Sequence, residues 1–155
     1  MIRKVLIFGM LCITMLFQAC SNDELSREDQ IKLTIESGIK AAENRSISDL
    51  AELIDENYLD QKGLNKERLT KLVRLYFFRH KNIYLFTKLD GIEFLADNEA
   101  LVTLRVAMAG SVISDPSMLS SLRATVYKFE LELVKKDAWL LKRAKWQDAS
   151  LSDMK

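Results

Sequence analysis

Residues 127–146 read YKFELELVKKDAWLLKRAKW and carry the clearest secondary-structure signal in the chain. Apolar and charged side chains alternate over residues 127–133, which is the period of a strand with one buried face. Residues 135–137 supply a turn, so the chain is predicted to return as an antiparallel strand. Trp139 and Trp146 would fall on opposite faces of an unbroken strand, and a β-bulge between them would bring both rings to one face.

Two further strands are predicted before this hairpin. The first covers residues 83–95 and is broken at Asp90-Gly91, and the second covers residues 101–109. The apolar side chains of the second share one face: Val102, Leu104, Val106 and Met108. Residues 111–122 contain the only proline and are predicted to form a loop with a short helix over 116–122.

Three helices are predicted to precede the strands. The first follows a capping Ser26 and ends near Glu43, because apolar residues recur at helical spacing between them. The second, shorter helix starts near Ser46, and Asn65 caps the third, which ends near residues 79–82. The third helix has one apolar stripe: Leu69, Leu72, Val73, Tyr76 and Phe77.

Helices followed by antiparallel strands define an α+β fold. We expect three N-terminal helices packed on a curved antiparallel sheet, within one domain over residues 26–150 of the 155-residue chain. One face of the sheet is apolar and can cover the helices, whereas the other is half charged and faces water.

The N-terminal segment, MIRKVLIFGMLCITMLFQAC, has a different character. Arg3 and Lys4 precede an uncharged, mainly apolar run over residues 5–17. A helix of that length reaches about 20 Å, which is short of a hydrocarbon core of about 30 Å. The segment is therefore interpreted as a signal peptide rather than a membrane span. Its removal would take Cys12 away and leave Cys20 without a disulfide partner.

Residues 16–20, LFQAC, resemble the lipobox of bacterial lipoproteins, in which a small residue precedes the modified cysteine. The resemblance implies a signal peptide over residues 1–19, a diacylated Cys20 and a short tether over residues 20–25. Ser21 in place of Asp resembles lipoproteins exported to the outer membrane, which implies a lipid-anchored domain on its periplasmic face.

The order of elements over residues 28–147, with its final hairpin, is similar to the nuclear transport factor 2-like superfamily, which has a cone-shaped cystatin-like fold and includes SnoaL-like proteins. The resemblance implies a pocket between the sheet and the helices. Some relatives are isomerases, cyclases or dehydratases that use a carboxylate base beside hydrogen-bond donors, and others are binding or dimerisation modules. The fold alone does not choose between them.

Composition and motifs narrow the chemistry. The net charge of +1 leaves no basic field for nucleic acid. One histidine and two cysteines cannot form a zinc site by themselves, and neither a Gly-rich phosphate loop nor an HExxH motif is present. We therefore expect no metal and no cofactor.

A few side chains could form a site in such a pocket. Tyr58 and Asp60 are two residues apart and would point the same way from an extended segment, as a donor and a general base, with Tyr127 as a further candidate. The alternative is that Asp60 starts a turn with Gly63 and that Tyr58 covers a helix joint, and the sequence favours it.

Binding candidates are equally few. Arg105 could hold an anionic ligand, although its alternation favours the solvated face of its strand. Tyr76 and Phe129 belong to an aromatic set that could contact a ligand and is more often part of a core.

These patterns favour a non-catalytic module at the outer membrane that binds a ligand or assembles with protein. The expected partners are the membrane through the lipid on Cys20, an apolar small molecule, and a second copy of the chain or a periplasmic protein. The alternative is an isomerase- or dehydratase-type enzyme with an acid–base pair in the pocket.

Overall fold

The computed structural model describes residues 25–112, 115–119 and 124–154. The predicted lipobox, Cys20 and most of the tether lie outside these residues. In the described part of the chain no helix is both long and apolar enough to cross a bilayer.

Helices come first in the described chain: α1 (Arg27–Glu43), α2 (Ile47–Glu52) and α3 (Lys66–Arg79). They are followed by four strands: β1 (Tyr84–Ala96), β2 (Glu99–Ala109), β3 (Thr125–Lys135) and β4 (Trp139–Asp148). Short 3-10 helices cover Pro116–Leu119 and Leu151–Met154. The strands form one antiparallel sheet in sequence order, which confirms the α+β class.

Each α-helix begins where a polar side chain can cap it. Ser26, Ser46 and Asn65 each accept a hydrogen bond from the backbone N–H three residues later. Such a bond satisfies one of the N–H groups that a helix start leaves without a partner. All three predicted starts are therefore confirmed.

Three register shifts shape the sheet, one between β3 and β4 and two between β1 and β2. Glu132 pairs with Arg143 and Leu133 pairs with Leu141, which leaves Lys142 as an extra residue and confirms the predicted bulge in β4. The predicted break at Asp90-Gly91 is wrong, because β1 continues through it with only a register shift. A bulge lets a strand bend without losing its place in the sheet.

The inner face of the sheet packs against α1. The most completely buried side chains are Ile31 on α1 and Val102, Leu133 and Trp139 on the strands. The alternation predicted for β2 and β3 is thus present, with the apolar residues turned toward the helices.

The connection between α2 and α3 is fastened to the edge of β4. The backbone N–H of Asp55 donates to the carbonyl of Leu141 at 2.9 Å, and the N–H of Leu141 donates to the carbonyl of Leu53 at 2.8 Å. Asp55 is buried, and the ammonium of Lys136 forms an ion pair with its Oδ2. The loop that follows Asp55 is therefore held beside the inner face of the sheet.

The loop predicted over residues 111–122 is described only in part. A 3-10 helix covers Pro116–Leu119, where a short helix was expected to begin. Residues 113–114 and 120–123 lie outside the described part of the chain.

Candidate functional site

A large open cavity lies between the three helices and the inner face of the sheet. Its volume is about 850 Å³. Leu104, Val106 and Leu133 form part of its sheet wall, and Val73 and Phe77 of α3 form part of the wall opposite. A cavity of this size is typical of sites that hold one small molecule.

The mouth of the cavity is defined by the lining residues that are exposed to solvent. They belong to the end of α3 and to the loop before it: Lys62, Leu72, Leu75, Tyr76, Arg79 and His80. The rings of Tyr76 and His80 are stacked, with centroids 4.1 Å apart. The mouth therefore runs along α3, from the turn before the helix to its last residues, where the chain leads into β1.

Aromatic side chains line the inner wall near the mouth. Tyr127 and Phe129 of β3 meet edge to face with centroids 6.2 Å apart, and Trp146 of β4 lies 6.4 Å from Phe129. Phe129 was predicted from alternation alone to share the apolar face of β3. Four of the candidates from the sequence thus border one cavity: Tyr58, Tyr76, Tyr127 and Phe129.

Tyr58 is the most deeply buried polar residue of the cavity wall, with 3% of its surface exposed. No hydrogen bond joins its hydroxyl to another of the described residues. Burial, with a smaller contribution from the charge of Asp60, raises the pKa of Tyr58 far above its usual range. Tyr58 therefore keeps its proton and can donate a hydrogen bond to a bound molecule.

Asp60 is buried but is not a base in the cavity. Its Oδ1 accepts hydrogen bonds from the backbone N–H groups of Lys62 and Leu64, both at 2.8 Å. Its carbonyl accepts from Gly63, whose positive φ of 75° suits a glycine. Asp60 does not line the cavity, and no hydrogen bond joins it to Tyr58 in the described chain. The turn expected as the alternative is therefore what the structure shows.

Arg105 also lies away from the cavity. It pairs with Asp90 at 3.1 Å and donates to the carbonyl of Asp153 at 2.7 Å. These contacts are on the outer face of the sheet, where Met154 packs on Ala107. The hypothesis that Arg105 holds an anion within the cavity is thus replaced by an ion pair on the solvated face.

The sequence did not single out the two cations at the mouth. Arg79 ends α3, and Lys62 lies in the turn before it, with its ammonium 5.1 Å above the ring of Trp146. The residues around Lys62 and Arg79 form no pattern that would predict a place at a cavity mouth. Lys62, for example, lies 84 positions along the chain from the tryptophan ring that it covers. Among the described residues, no cluster of three His, Cys, Asp or Glu side chains could hold a metal ion.

Comparison with known proteins identifies the fold of the chain but not its family or its function. No protein-family model matches the sequence, and no curated protein matches it. Many solved structures do resemble the domain.

Three of these structures are representative. A cystatin-like domain of unknown function from Nostoc punctiforme has a TM-score of 0.61 at 16% identity, over 79% of this chain and 77% of its own. A proposed scytalone dehydratase from Novosphingobium aromaticivorans has a TM-score of 0.65 at 14% identity, over 79% of this chain and 84% of its own. A proposed dehydratase of the nuclear transport factor 2-like family from Streptomyces avermitilis has a TM-score of 0.63 at 15% identity, over 79% of this chain and 97% of its own.

The chain therefore has a nuclear transport factor 2-like, cystatin-like fold. Identities of 14–16% show the fold alone. Since proteins of one fold carry out many functions, the activity has to be argued from the cavity.

Proposed function

We propose that the chain is a lipoprotein of the nuclear transport factor 2-like superfamily whose cavity binds an apolar small molecule without transforming it. The observation that supports this proposal is the open cavity of about 850 Å³ with largely apolar walls. An apolar molecule that enters such a space removes its own surface and that of the walls from water, which favours binding.

The binding role is preferred to catalysis because the proposed base is engaged elsewhere. An isomerase- or dehydratase-type reaction needs an acid–base pair within reach of the substrate. Asp60 holds the turn at residues 60–64 through two hydrogen bonds to backbone N–H groups, and it does not line the cavity. Tyr58 is left as a hydrogen-bond donor, with no aspartate or glutamate of the described residues among those that line the cavity.

The binding role is also preferred to assembly with a second copy or a periplasmic protein. Such assembly would use the outer face of the sheet. Charges on that face already have partners on the same face: Arg143 lies 3.4 Å from Glu132, and Arg105 pairs with Asp90. These pairs favour a face in contact with water.

Binding can be tested with N-phenyl-1-naphthylamine, an uncharged dye whose fluorescence rises in apolar surroundings. We expect the chain to bind it, and Val73→Phe to weaken binding about tenfold because the larger ring occupies the cavity. The matched control is Val112→Phe, the same change at an exposed residue outside the cavity wall. Equal affinity for the two variants would rule out the cavity as the binding site.

The same experiment can examine Tyr58 with 6-propionyl-2-dimethylaminonaphthalene, a dye that carries a carbonyl acceptor. Tyr58→Phe should weaken its binding about fivefold, which corresponds to one neutral hydrogen bond of about 1 kcal/mol. It should leave the affinity for N-phenyl-1-naphthylamine unchanged, because that dye offers no carbonyl. Thermal unfolding of both variants checks that the fold is retained.

We further propose that Cys20 is the lipidated N-terminus of the mature protein and that the domain lies on the periplasmic face of the outer membrane. The support is the positive start, the apolar run and the Ala19-Cys20 pair in the sequence. Two or three acyl chains are sufficient for stable anchoring.

Mass spectrometry of the membrane fraction of a Gram-negative host tests this proposal. We expect an N-terminal Cys20 that carries acyl chains, and an unprocessed precursor for Cys20→Ala. A wild-type chain that retains residues 1–19 would contradict it. Separation of inner from outer membranes then tests the location.

A further inference from the structure

Two side chains of the described cavity lining carry a formal charge, Lys62 and Arg79, and both are cations. Lys62, Arg79 and His80 lie at the mouth, and no aspartate or glutamate of the described residues joins them in the lining. A mouth with one sign of charge, opening into an apolar interior, selects among the molecules that could enter.

Arg79 is available to a ligand. Its side chain is exposed at the end of α3, and within the described residues it makes no ion pair or hydrogen bond. A guanidinium offers several N–H donors in a plane that matches a carboxylate, sulfonate or phosphate.

The negative end of the α3 dipole does not cancel this attraction. The guanidinium of Arg45 donates to the carbonyl of Phe77 at 2.6 Å and to that of Lys81 at 3.4 Å. The backbone N–H of His80 donates to the carbonyl of Tyr76 at 3.0 Å. A cation therefore already caps the end of the helix, and an anion at the mouth would not face bare carbonyl groups.

Lys62 supplies a second positive charge beside β4. Its ammonium lies 5.1 Å above the ring of Trp146, which holds it next to the apolar wall. Arg79 is the last residue of α3 and Lys62 precedes the helix, so its 14 residues, about 20 Å long, separate the two cations. One small head group therefore contacts one of them.

We infer that the ligand of this cavity is an amphiphile with one anionic head group, bound with its apolar body inside and its head beside Arg79. This inference rests on the proposed binding function and adds the chemical class of the ligand. The head stays in water at the mouth, so its charge is paired without the cost of full burial.

Two dyes with the same body separate the inference from the binding proposal. 1-Anilinonaphthalene-8-sulfonate has the ring system of N-phenyl-1-naphthylamine with one added sulfonate. We expect Arg79→Gln to weaken binding of the sulfonate about threefold, and Lys62→Gln, at the other end of α3, to weaken it by less than a factor of about two. Affinity for the uncharged dye should change by less than a factor of about two. Lys145→Gln removes one charge from an exposed residue that does not line the cavity and serves as the control.

The outcomes are distinguishable. If neither dye binds, the binding proposal itself fails. If both bind and Arg79→Gln weakens them equally, the cavity binds apolar molecules without regard to charge, and the inference is overturned. An ionic strength of about 1 M should reproduce the effect of Arg79→Gln, because it shortens the range of electrostatic attraction to about 3 Å.

Competition identifies the source of the amphiphile. Dodecanoate should displace the sulfonate dye more strongly than dodecanol, which has the same chain without the charge. Displacement by dodecanoate in solution indicates a free acid, and displacement by phosphatidylglycerol vesicles indicates a membrane lipid. Equal displacement by dodecanoate and dodecanol would overturn the inference.

Discussion

Trp139→Ala should lower the free energy of unfolding by about 3–5 kcal/mol, the range for removing a fully buried large side chain. Trp139 is 1% exposed, packs with Ile31 and Leu133, and lies 6.2 Å from the ring of Phe94. Urea unfolding measures the change. A loss below about 1 kcal/mol would place Trp139 outside the core.

Phe129→Ala provides the contrast. The alternation of β3 made Phe129 a core residue, but the structure leaves it only partly buried on the wall of an open cavity. Its removal enlarges a space that already exists, so we expect a loss of about 2 kcal/mol or less. A loss as large as that of Trp139→Ala would mean that the cavity is closed.

Lys136→Met should lower the free energy of unfolding by about 2 kcal/mol at neutral pH, because it leaves the buried carboxylate of Asp55 without its cation. The exposed half of the Lys136 side chain keeps this below the 3–5 kcal/mol typical of fully buried pairs. Lys145→Met, at an exposed residue with no ion pair in the described chain, is the control.

The loss should depend on pH in a defined direction. Hydrogen bonding to Lys136 and to the backbone N–H of Asn57 holds the pKa of Asp55 below its usual range. The pair therefore stabilises the fold above the pKa of the unfolded chain, about 3.9, and this contribution disappears as the pH falls through the lower, folded pKa. Wild type and Lys136→Met should converge in acid. A constant difference across this range would exclude the ion pair as its cause.

The sequence predicted what local patterns determine. The three helix caps and the bulge in β4 each follow from a few neighbouring residues, and the structure contains them. Asp90-Gly91 has the composition of a turn, yet β1 continues through it with a register shift, and Asp90 pairs with Arg105 on the next strand. That partner could not be identified from the sequence around Asp90.

The candidate site was harder to predict than the helix caps and the bulge, because it is formed by residues that are far apart in the sequence. Alternation identified Phe129 and Tyr127 as residues of one face, but it could not show that the helices leave a space above them. Asp55 and Lys136, and equally Lys62 and Trp146, are brought together by the attachment of the α2–α3 connection to β4. These pairs are properties of the tertiary fold.

The start of α1 and the Arg79 end of the cavity mouth lie at opposite ends of the domain. Arg27 donates to the carbonyl of Asp97 in the β1–β2 turn, whereas His80 and Arg79 stand before the first residue of β1, thirteen residues away along that strand. At about 3.3 Å per residue, β1 separates the start of α1 from the Arg79 end of the mouth by at most about 40 Å. The seven positions from Cys20 to Arg27 reach about 25 Å at most. In a chain attached through Cys20, the start of α1 would lie near the membrane and the Arg79 end of the cavity mouth would lie away from it. A molecule bound in the cavity would then exchange with the aqueous compartment rather than with the bilayer.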